Sequence, residues 1–425
     1  MQFKSYWHDT APRFDKGAEG PVEGRYDVAV IGAGFTGLSA ALQLAKAGAR
    51  VVVLESGTVG VGASGRNGGH LNNGIAHGYA SAKAHLGAER AKRLYRTYDD
   101  AVDSIERIVR EESIDCAFRR SGKLKLASKP GHVAALRSNF ELVHAEVDPD
   151  TAFLTREELR DEIGSDAFHG AMLSKKSGMA HMGRLVTGLA EAAVRHGATI
   201  HENAVVSERV AEDGRSRIVT SRGTIAADAV LLATGAYTSE GFAHFRRRIV
   251  PVGSFILATR PLTEAEIART LPGDRTCVTS LNIGNYFRLA PDGRLIFGGR
   301  ARFSAKSDQT SDARSGAILR ASLAQIFPHL AKIEIDYCWG GLVDMTQDRF
   351  PRAGFAEGVW FAMGYSGHGA QMSVQMGLIL ADAILGRENR NPVDGLDWPT
   401  IAGYSGKPWF LPMVGLYYRM LDRIR

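Results

Sequence analysis

Tyr26-Asp27-Val28-Ala29-Val30-Ile31 leads directly into Gly32-Ala33-Gly34-Phe35-Thr36-Gly37, a hydrophobic run followed by G-x-G-x-x-G. Leu38, Ala41, Leu42 and Ala45 then recur on one helical face until Gly48, and Arg50-Val51-Val52-Val53-Leu54-Glu55 reads as a second buried strand ending in an acid. Strand, glycine turn, helix, strand and acid in this order make a complete βαβ dinucleotide-binding unit. Gly32 permits the tight turn, Gly34 lets backbone approach a pyrophosphate, and Gly37 lets helix and strand pack closely. The helix N-terminus, with Phe35 and Thr36 in its first turn, offers N–H donors and partial positive charge to phosphates. Glu55, eighteen residues after Gly37, is placed to accept hydrogen bonds from a ribose. This unit fits NAD and FAD alike, so the rest of the chain has to decide between them.

The 425 residues are 44% hydrophobic, which allows a sizeable core and roughly two to three domains. A net charge of +6 suits an anionic cofactor or substrate, or simply solubility. Arg246-Arg247-Arg248 is the densest basic run, too short to indicate nucleic acid. Cys116, Cys277 and Cys338 are widely spaced, with no C-x-x-C and no metal-ligand spacing, so reduced, buried thiols and no metal are expected. Residues 1–25 are polar, with Asp9, Asp15 and Glu19, and lack the apolar core of a signal peptide. No window approaches the ~18 consecutive apolar residues of a membrane span, and the expected location is cytoplasmic.

Helical spacing recurs over 88–112, 133–147, 184–196, 312–327 and 370–385. Thr155-Arg156-Glu157-Glu158 is a capping-box pattern for a short helix. Short strands crowd between 199 and 234, including 224–226 and 230–234, with turns at Asp213-Gly214 and Arg222-Gly223. Two further glycine-rich stretches follow the nucleotide unit. Gly62-Ala63-Ser64-Gly65-Arg66-Asn67-Gly68-Gly69-His70 makes a backbone able to lie flat against a planar ring, and Ser64, Arg66 and Asn67 add polar contacts. Gly364-Tyr365-Ser366-Gly367-His368-Gly369 opens a helix, whose N–H groups suit an anion or a polarised carbonyl. Ala233-Thr234-Gly235 ends a hydrophobic strand on small residues that let backbone pass close to a cofactor.

Taken together and in order, the Gly32–Gly37 fingerprint with Glu55, the Ala63–Gly69 loop, Ala233-Thr234-Gly235 and Gly364–Gly369 resemble the FAD-dependent D-amino-acid-oxidase-like oxidoreductases, which include glycine oxidase and sarcosine oxidase. The resemblance runs from about Trp7 to Arg423 and includes Tyr286-Phe287-Arg288-Leu289, Gly298-Gly299 and Tyr417-Tyr418-Arg419. It implies an α/β (α+β) fold: a Rossmann-like FAD-binding domain and a discontinuous, mixed-sheet substrate domain. The expected FAD domain comprises 26–112, 175–240 and 340–390, the substrate domain 113–174 and 241–339, with an extension at 1–25 and a tail at 391–425. Cofactor contacts are expected at Gly32, Gly34, Phe35, Thr36, Gly37, Glu55, Ala63, Ser64, Arg66, Asn67, Gly68, Gly69, His70, Val206, Thr234, Gly235, and from Gly364 through Tyr365, Ser366, Gly367 and His368 to Gly369. The implied reaction is oxidation of a C–N bond: an uncharged amine gives a hydride to flavin N5, and the imine is hydrolysed. Oxygen or a quinone-type acceptor then takes the electrons.

Two departures from the family narrow the expectation. Amino-acid-oxidising relatives carry a carboxylate-gripping arginine just after a Trp-x-Gly-Leu stretch; here Trp339-Gly340-Gly341-Leu342 is followed by Val343 and Asp344. In sarcosine oxidases a cysteine tethers the flavin; the equivalent place here is Gly341, with Cys338 offset by three residues, so a non-covalent FAD is expected and His70 is the remaining tether candidate. The expected substrate is a gamma-glutamylated or otherwise substituted amine, with His368, Arg288 and Arg300 as catalytic-site residues and the two arginines as anchors for a distant acidic group. The rivals are an oxidase or dehydrogenase of an N-methyl or cyclic amino acid, an NAD-dependent dehydrogenase, and a flavin electron carrier without a substrate of its own. The apolar tail from Trp409, with late arginines, suits a final helix over the protein body ahead of a membrane-surface contact.

Overall fold

Strand Gly24–Ile31 pairs in parallel with Val51–Leu54 on one side and with Gly223–Leu232 on the other. Thr199–His201 extends this sheet beyond Val51–Leu54, and Val359–Met363 extends it beyond Gly223–Leu232, both in parallel. Arg352–Ala356 closes the edge antiparallel, and the antiparallel strands Val206–Glu212 and Arg215–Thr220 branch from Gly223–Leu232. This computed structural model describes residues 1–424 except His77, Asp213, Ala301 and Asn389. The Asp213 half of the expected Asp213-Gly214 turn and the terminal Arg425 thus fall outside the described residues.

The buried runs Val28–Ile31 and Val51–Leu54 explain the centre of the sheet, because strands covered on both faces are apolar throughout. Helix Phe35–Lys46 covers one face, packed between helices Met182–Arg195 and Gly369–Ile384. Helices also form at Ala88–Glu111, His132–Glu146 and Gln309–Ile326, where the spacing predicts them. Two expectations are corrected. The strands read at 224–226 and 230–234 are one strand, Gly223–Leu232, held continuous by its long parallel pairing with Gly24–Ile31. The Thr155/Glu158 capping bonds do form, at 3.3 and 2.8 Å, but they open the 3-10 turn Glu158–Asp161.

A second, eight-stranded sheet carries Ile335–Met345, Val250–Pro261, Arg294–Gly299, Asn285–Leu289, Thr276–Thr279, Lys123–Leu126, Ala171–Ser174 and Ala152–Leu154, in that spatial order. It is antiparallel except where Lys123–Leu126 meets Thr276–Thr279. Strand Ile335–Met345 stays in this sheet to its end, past residue 340. Residues 1–25 are more than a polar extension: the short helix Tyr6–Thr10 buries Tyr6 and Trp7 completely. The C-terminal helix Leu411–Ile424 packs through Leu411 and Gly415 and leaves Met413, Leu416, Tyr417, Met420 and Ile424 exposed. Among the described residues no helix is long and apolar enough to cross a membrane.

Candidate active site

One cavity of about 1100 Å³ runs from the βαβ turn to the face of the second sheet. That is room for a dinucleotide together with a small substrate. At its first end, Gly32, Gly34, Phe35 and Thr36 bring the start of helix Phe35–Lys46 to the wall. The Glu55 carboxylate accepts from Ala33 N at 2.8 Å and Gly57 N at 2.9 Å, and Ser56 Oγ donates to it at 3.1 Å. A carboxylate has about four acceptor positions, so capacity remains on the cavity side for ribose hydroxyls. Val206, Thr234 and Gly235 flank the same end. Gly37 lies behind the wall, where helix and strand touch; a Cβ there would stand 2.0 Å from the Gly32 carbonyl oxygen. The cradle is therefore shaped by backbone approach and by oriented donors, as the ADP half of FAD requires.

The Ala63–Gly69 loop is fastened from outside the cavity. Trp7 Nε1 donates to the Asn67 carbonyl at 2.6 Å, Trp339 Nε1 to the Arg66 carbonyl at 3.0 Å, and Ser5 Oγ to the Gly65 carbonyl at 2.7 Å. Within the loop Gly69 N donates to Asn67 Oδ1, and Arg66 Nη1 reaches across to the Gly340 carbonyl. Ser64 Oγ accepts from Phe35 N at 2.9 Å, which ties this loop to the nucleotide helix. His70 lies edge-on to Tyr286, ring centroids 5.3 Å apart, and Nδ1 sits 3.1 Å from the Gly68 carbonyl. Burial, with the nearby charge of Arg288, pushes the His70 imidazole down to about 3, so it is neutral at any ordinary pH.

The third glycine-rich stretch brings Tyr365, Ser366, Gly367, His368 and Gly369 to the cavity, with Gly364 just behind. Asp344 holds this turn: its Oδ2 accepts from Gly364 N at 2.6 Å and its carbonyl accepts from Ser366 N at 3.0 Å. Ser366 has φ +53°, a left-handed conformation costly for a residue with a Cβ, so the turn depends on such fastenings. Burial raises the Asp344 carboxyl to about 6, against the opposing pull of its N–H donors. A carboxyl raised on folding favours the native state when protonated. Its stability contribution is full below about pH 4 and is lost as pH rises through about 6. We expect the urea-unfolding stability of the wild type, relative to Asp344→Asn, to fall by about 2–3 kcal/mol between pH 4 and pH 7. A pH-independent difference between the two proteins removes this assignment.

The three expected catalytic residues separate. His368 lines the cavity and lies edge-on to Tyr98 at 6.2 Å. Arg300 also lines it, near Gly367, and burial together with Arg349 lowers the pKa of its guanidinium. Arg288 stands behind the wall: it is fully buried and donates to the carbonyls of Gly68 at 3.1 Å, Ala180 at 2.7 Å and Leu289 at 3.3 Å. Its guanidinium also covers the Trp7 ring at 5.1 Å. These contacts make it a brace for the Gly68 turn, and it is not among the residues that line the cavity. Val343 and Gly341 line the cavity, whereas Cys338 is fully buried with Sγ against the Asp312 carbonyl and its thiol pushed up to about 12.

Sequence reasoning assigned no site role to four residues. Trp7 sits in a stretch read as polar, although the Tyr6-Trp7 pair was a visible signal of burial. Tyr286 faces the cavity from the second sheet and exchanges a hydrogen bond with Ser254 at 3.0 Å. Lys123 and Lys125 line the far end of the cavity, and nothing in their local pattern announces it.

Residues 27–383 match the family profile described as FAD dependent oxidoreductase, DAO. The chain is 34% identical over 407 residues to an oxidoreductase named OrdL from Haemophilus influenzae, covering 94% of this chain and 92% of the relative. It is 30% identical over 403 residues to gamma-glutamylputrescine oxidoreductase of Escherichia coli, covering 94% and 93% respectively. Its fold is similar to the crystal structure of glycine oxidase from Geobacillus kaustophilus, with a TM-score of 0.76 at 24% identity over 89% of this chain and 100% of that one.

Proposed function

We propose that this chain, which belongs to the DAO family of FAD-dependent oxidoreductases and acts on amines or amino acids, oxidises the C–N bond of a substituted amine such as a gamma-glutamyl amine. One observation carries the choice of an amine over an α-amino acid. Val343, an apolar side chain on the cavity wall, stands at the strand end where the resemblance places a carboxylate-gripping arginine. A carboxylate held there would lose its hydrogen bonds to water with no bidentate partner in return. The likeness to gamma-glutamylputrescine oxidoreductase along nearly the full length of both chains points the same way.

FAD, when bound, supplies the two-electron acceptor. The protein's task is to hold the C–H bond in place and to keep water away. Glu55 and the Gly32–Thr36 turn would hold the ADP half, the Ala63–Gly69 loop the ring, and the start of helix Gly369–Ile384 the ring edge where negative charge develops. Tyr286 and the neutral His70 form an aromatic wall beside that loop. In the overall reaction the amine loses a hydride and a proton, and water converts the imine to a carbonyl compound with release of ammonia or, from a secondary amine, of the remaining amine. Oxygen or a quinone-type acceptor takes up the electrons.

Anaerobic titration with a panel of amines tests this reading. We expect substituted primary or secondary amines to bleach the flavin at micromolar to millimolar concentration. Glycine, sarcosine and proline should be at least 10-fold less effective. Faster bleaching by the amino acids would instead support an N-methyl or cyclic amino acid oxidase, a reading that the cavity-lining Arg300 favours. A chain that no amine or amino acid bleaches is not the oxidase proposed here.

A further inference from the structure

Strand Lys123–Leu126 alternates Lys-Leu-Lys-Leu, and Leu124 and Leu126 are fully buried in the core of the second sheet. Alternation turns both lysines to the opposite face, and that face is a wall of the cavity. The lysines are thus exposed to the cavity rather than to bulk water. Burial lowers the pKa of both ammonium groups, Lys123 to about 8, where its neighbour Lys125 adds to the effect. Lys123 Nζ donates to the Asn73 carbonyl at 2.5 Å, with the charges of Asp99 and Asp148 nearby. Asp99 is already engaged by Asn73 Nδ2 at 2.9 Å and Lys176 Nζ at 3.2 Å. Among the described residues Lys125 forms no ion pair, and burial lowers the pKa of its ammonium. Two adjacent cations taken out of water with so little compensation are costly unless an anion joins them.

We infer that Lys123 and Lys125 form a binding site for a carboxylate carried by the amine substrate, at the end remote from the C–N bond that is oxidised. The inference rests on the amine-oxidation reading and names the substrate class for it. The lysines line the same cavity as the cofactor end, so a tail extending from a substrate at the ring can reach them. The sheet register sets the length of that substrate. Lys125 opposes Val278, and Val278 opposes Tyr286, which contacts His70 at the ring-binding loop. Two strand spacings separate Lys125 from Tyr286, about 10 Å. An α-amino acid, with its carboxylate one bond from the reacting carbon, cannot span this. A gamma-glutamyl derivative of a four-carbon diamine places nine bonds between the two groups, roughly 11 Å when extended. Arg300 is a separate cationic centre: it follows strand Arg294–Gly299, three strands from Lys125, or about 14 Å.

The test compares N-gamma-glutamyl-1,4-diaminobutane with the uncharged-tail analogue N-acetyl-1,4-diaminobutane, using the FAD-loaded protein. Apparent Kd is read from anaerobic flavin bleaching. We expect the carboxylated amine to bind at least 10-fold tighter. Lys125→Met should bring the ratio of the two constants close to one, Lys123→Met should reduce it, and Lys125→Arg should preserve most of it. A wild-type ratio near one overturns the inference, as does an unchanged ratio in a Lys125→Met protein with wild-type flavin absorbance. A ratio that collapses in Arg300→Met but not in Lys125→Met also overturns it. If neither amine bleaches the flavin, the oxidation reading fails, and calorimetric binding of gamma-glutamylbutylamide, which carries the carboxylate but no second amine, decides the subsite. Binding that depends on Lys125 then supports it, and binding that survives Lys125→Met refutes it.

Discussion

Gly37→Ala yields a chain that does not retain FAD. The added Cβ would lie 2.0 Å from the Gly32 carbonyl oxygen and 2.9 Å from Val30 Cγ1. The first neighbour is backbone, and it belongs to the turn that shapes the phosphate site, so relief requires helix and strand to separate. Overpacking of this kind costs about 3 kcal/mol or more. It falls where the first turn of the helix meets the cofactor, so FAD affinity should drop on the order of 100-fold. Gly48→Ala is the control: Gly48 lies just past the C-terminal end of the same helix, with φ +85°, and its Cβ would meet no atom within 4 Å. Gly48→Ala should lose about 1 kcal/mol through backbone strain and keep its cofactor. Fluorescence titration of the apoprotein with FAD separates the two. Wild-type affinity in Gly37→Ala would show that helix and strand need not touch as closely as this structure has them.

Arg288→Met should act as a stability mutation, despite the resemblance between Arg288 and a substrate anchor in the sequence. The guanidinium is fully buried and spends its donors on the Gly68, Ala180 and Leu289 carbonyls. Methionine keeps most of the volume and removes every donor. Buried carbonyls left without partners cost about 1–3 kcal/mol each, so a loss of about 3 kcal/mol is expected, read as a lower urea midpoint. Because Gly68 belongs to the loop proposed to hold the flavin ring, FAD should also be released at lower denaturant concentration than the protein unfolds. The opposite pattern, unchanged stability and cofactor retention with a Kd for a carboxylated amine raised more than 10-fold, would make Arg288 a direct substrate contact.

The legible parts of this protein are those in which backbone shape is written locally. The Gly32–Gly37 turn, the Ala63–Gly69 loop and the Gly364–Gly369 helix start each need glycine for a close approach or a turn, and no other residue supplies that need. All three meet at one cavity. The illegible parts depend on what packs over a surface from other elements of the chain. Lys-Leu-Lys-Leu at 123–126 reads as a strand with one wet face. The face lines the cavity, together with Tyr79 and Tyr95 from the helices Tyr79–Leu86 and Ala88–Glu111. Arg288 shows the reverse error: an arginine in a family motif suggests chemistry, yet Trp7 and three carbonyls surround it. Trp7 was hidden because a polar window averages away two buried aromatics.

The C-terminal helix Leu411–Ile424 matters for handling the protein. Asp422 accepts from Asn282 N and Nδ2 and from Ile283 N at 2.8–2.9 Å, and Arg349 donates to Tyr418 Oη at 2.7 Å. Asn282 and Arg349 both lie on the cavity wall. The C-terminal helix is therefore tied by hydrogen bonds to two residues of the cavity wall. An affinity tag fused after Arg425, or proteolytic trimming during purification, would disturb those ties, which lie apart from the Gly32–Thr36 turn. Preparations equal in colour could then differ in turnover, and the N-terminus carries its own constraint, since Ser5 and Trp7 hold the ring loop. A tag joined through a long flexible spacer before Met1, removable afterwards, leaves both ends free to do their work.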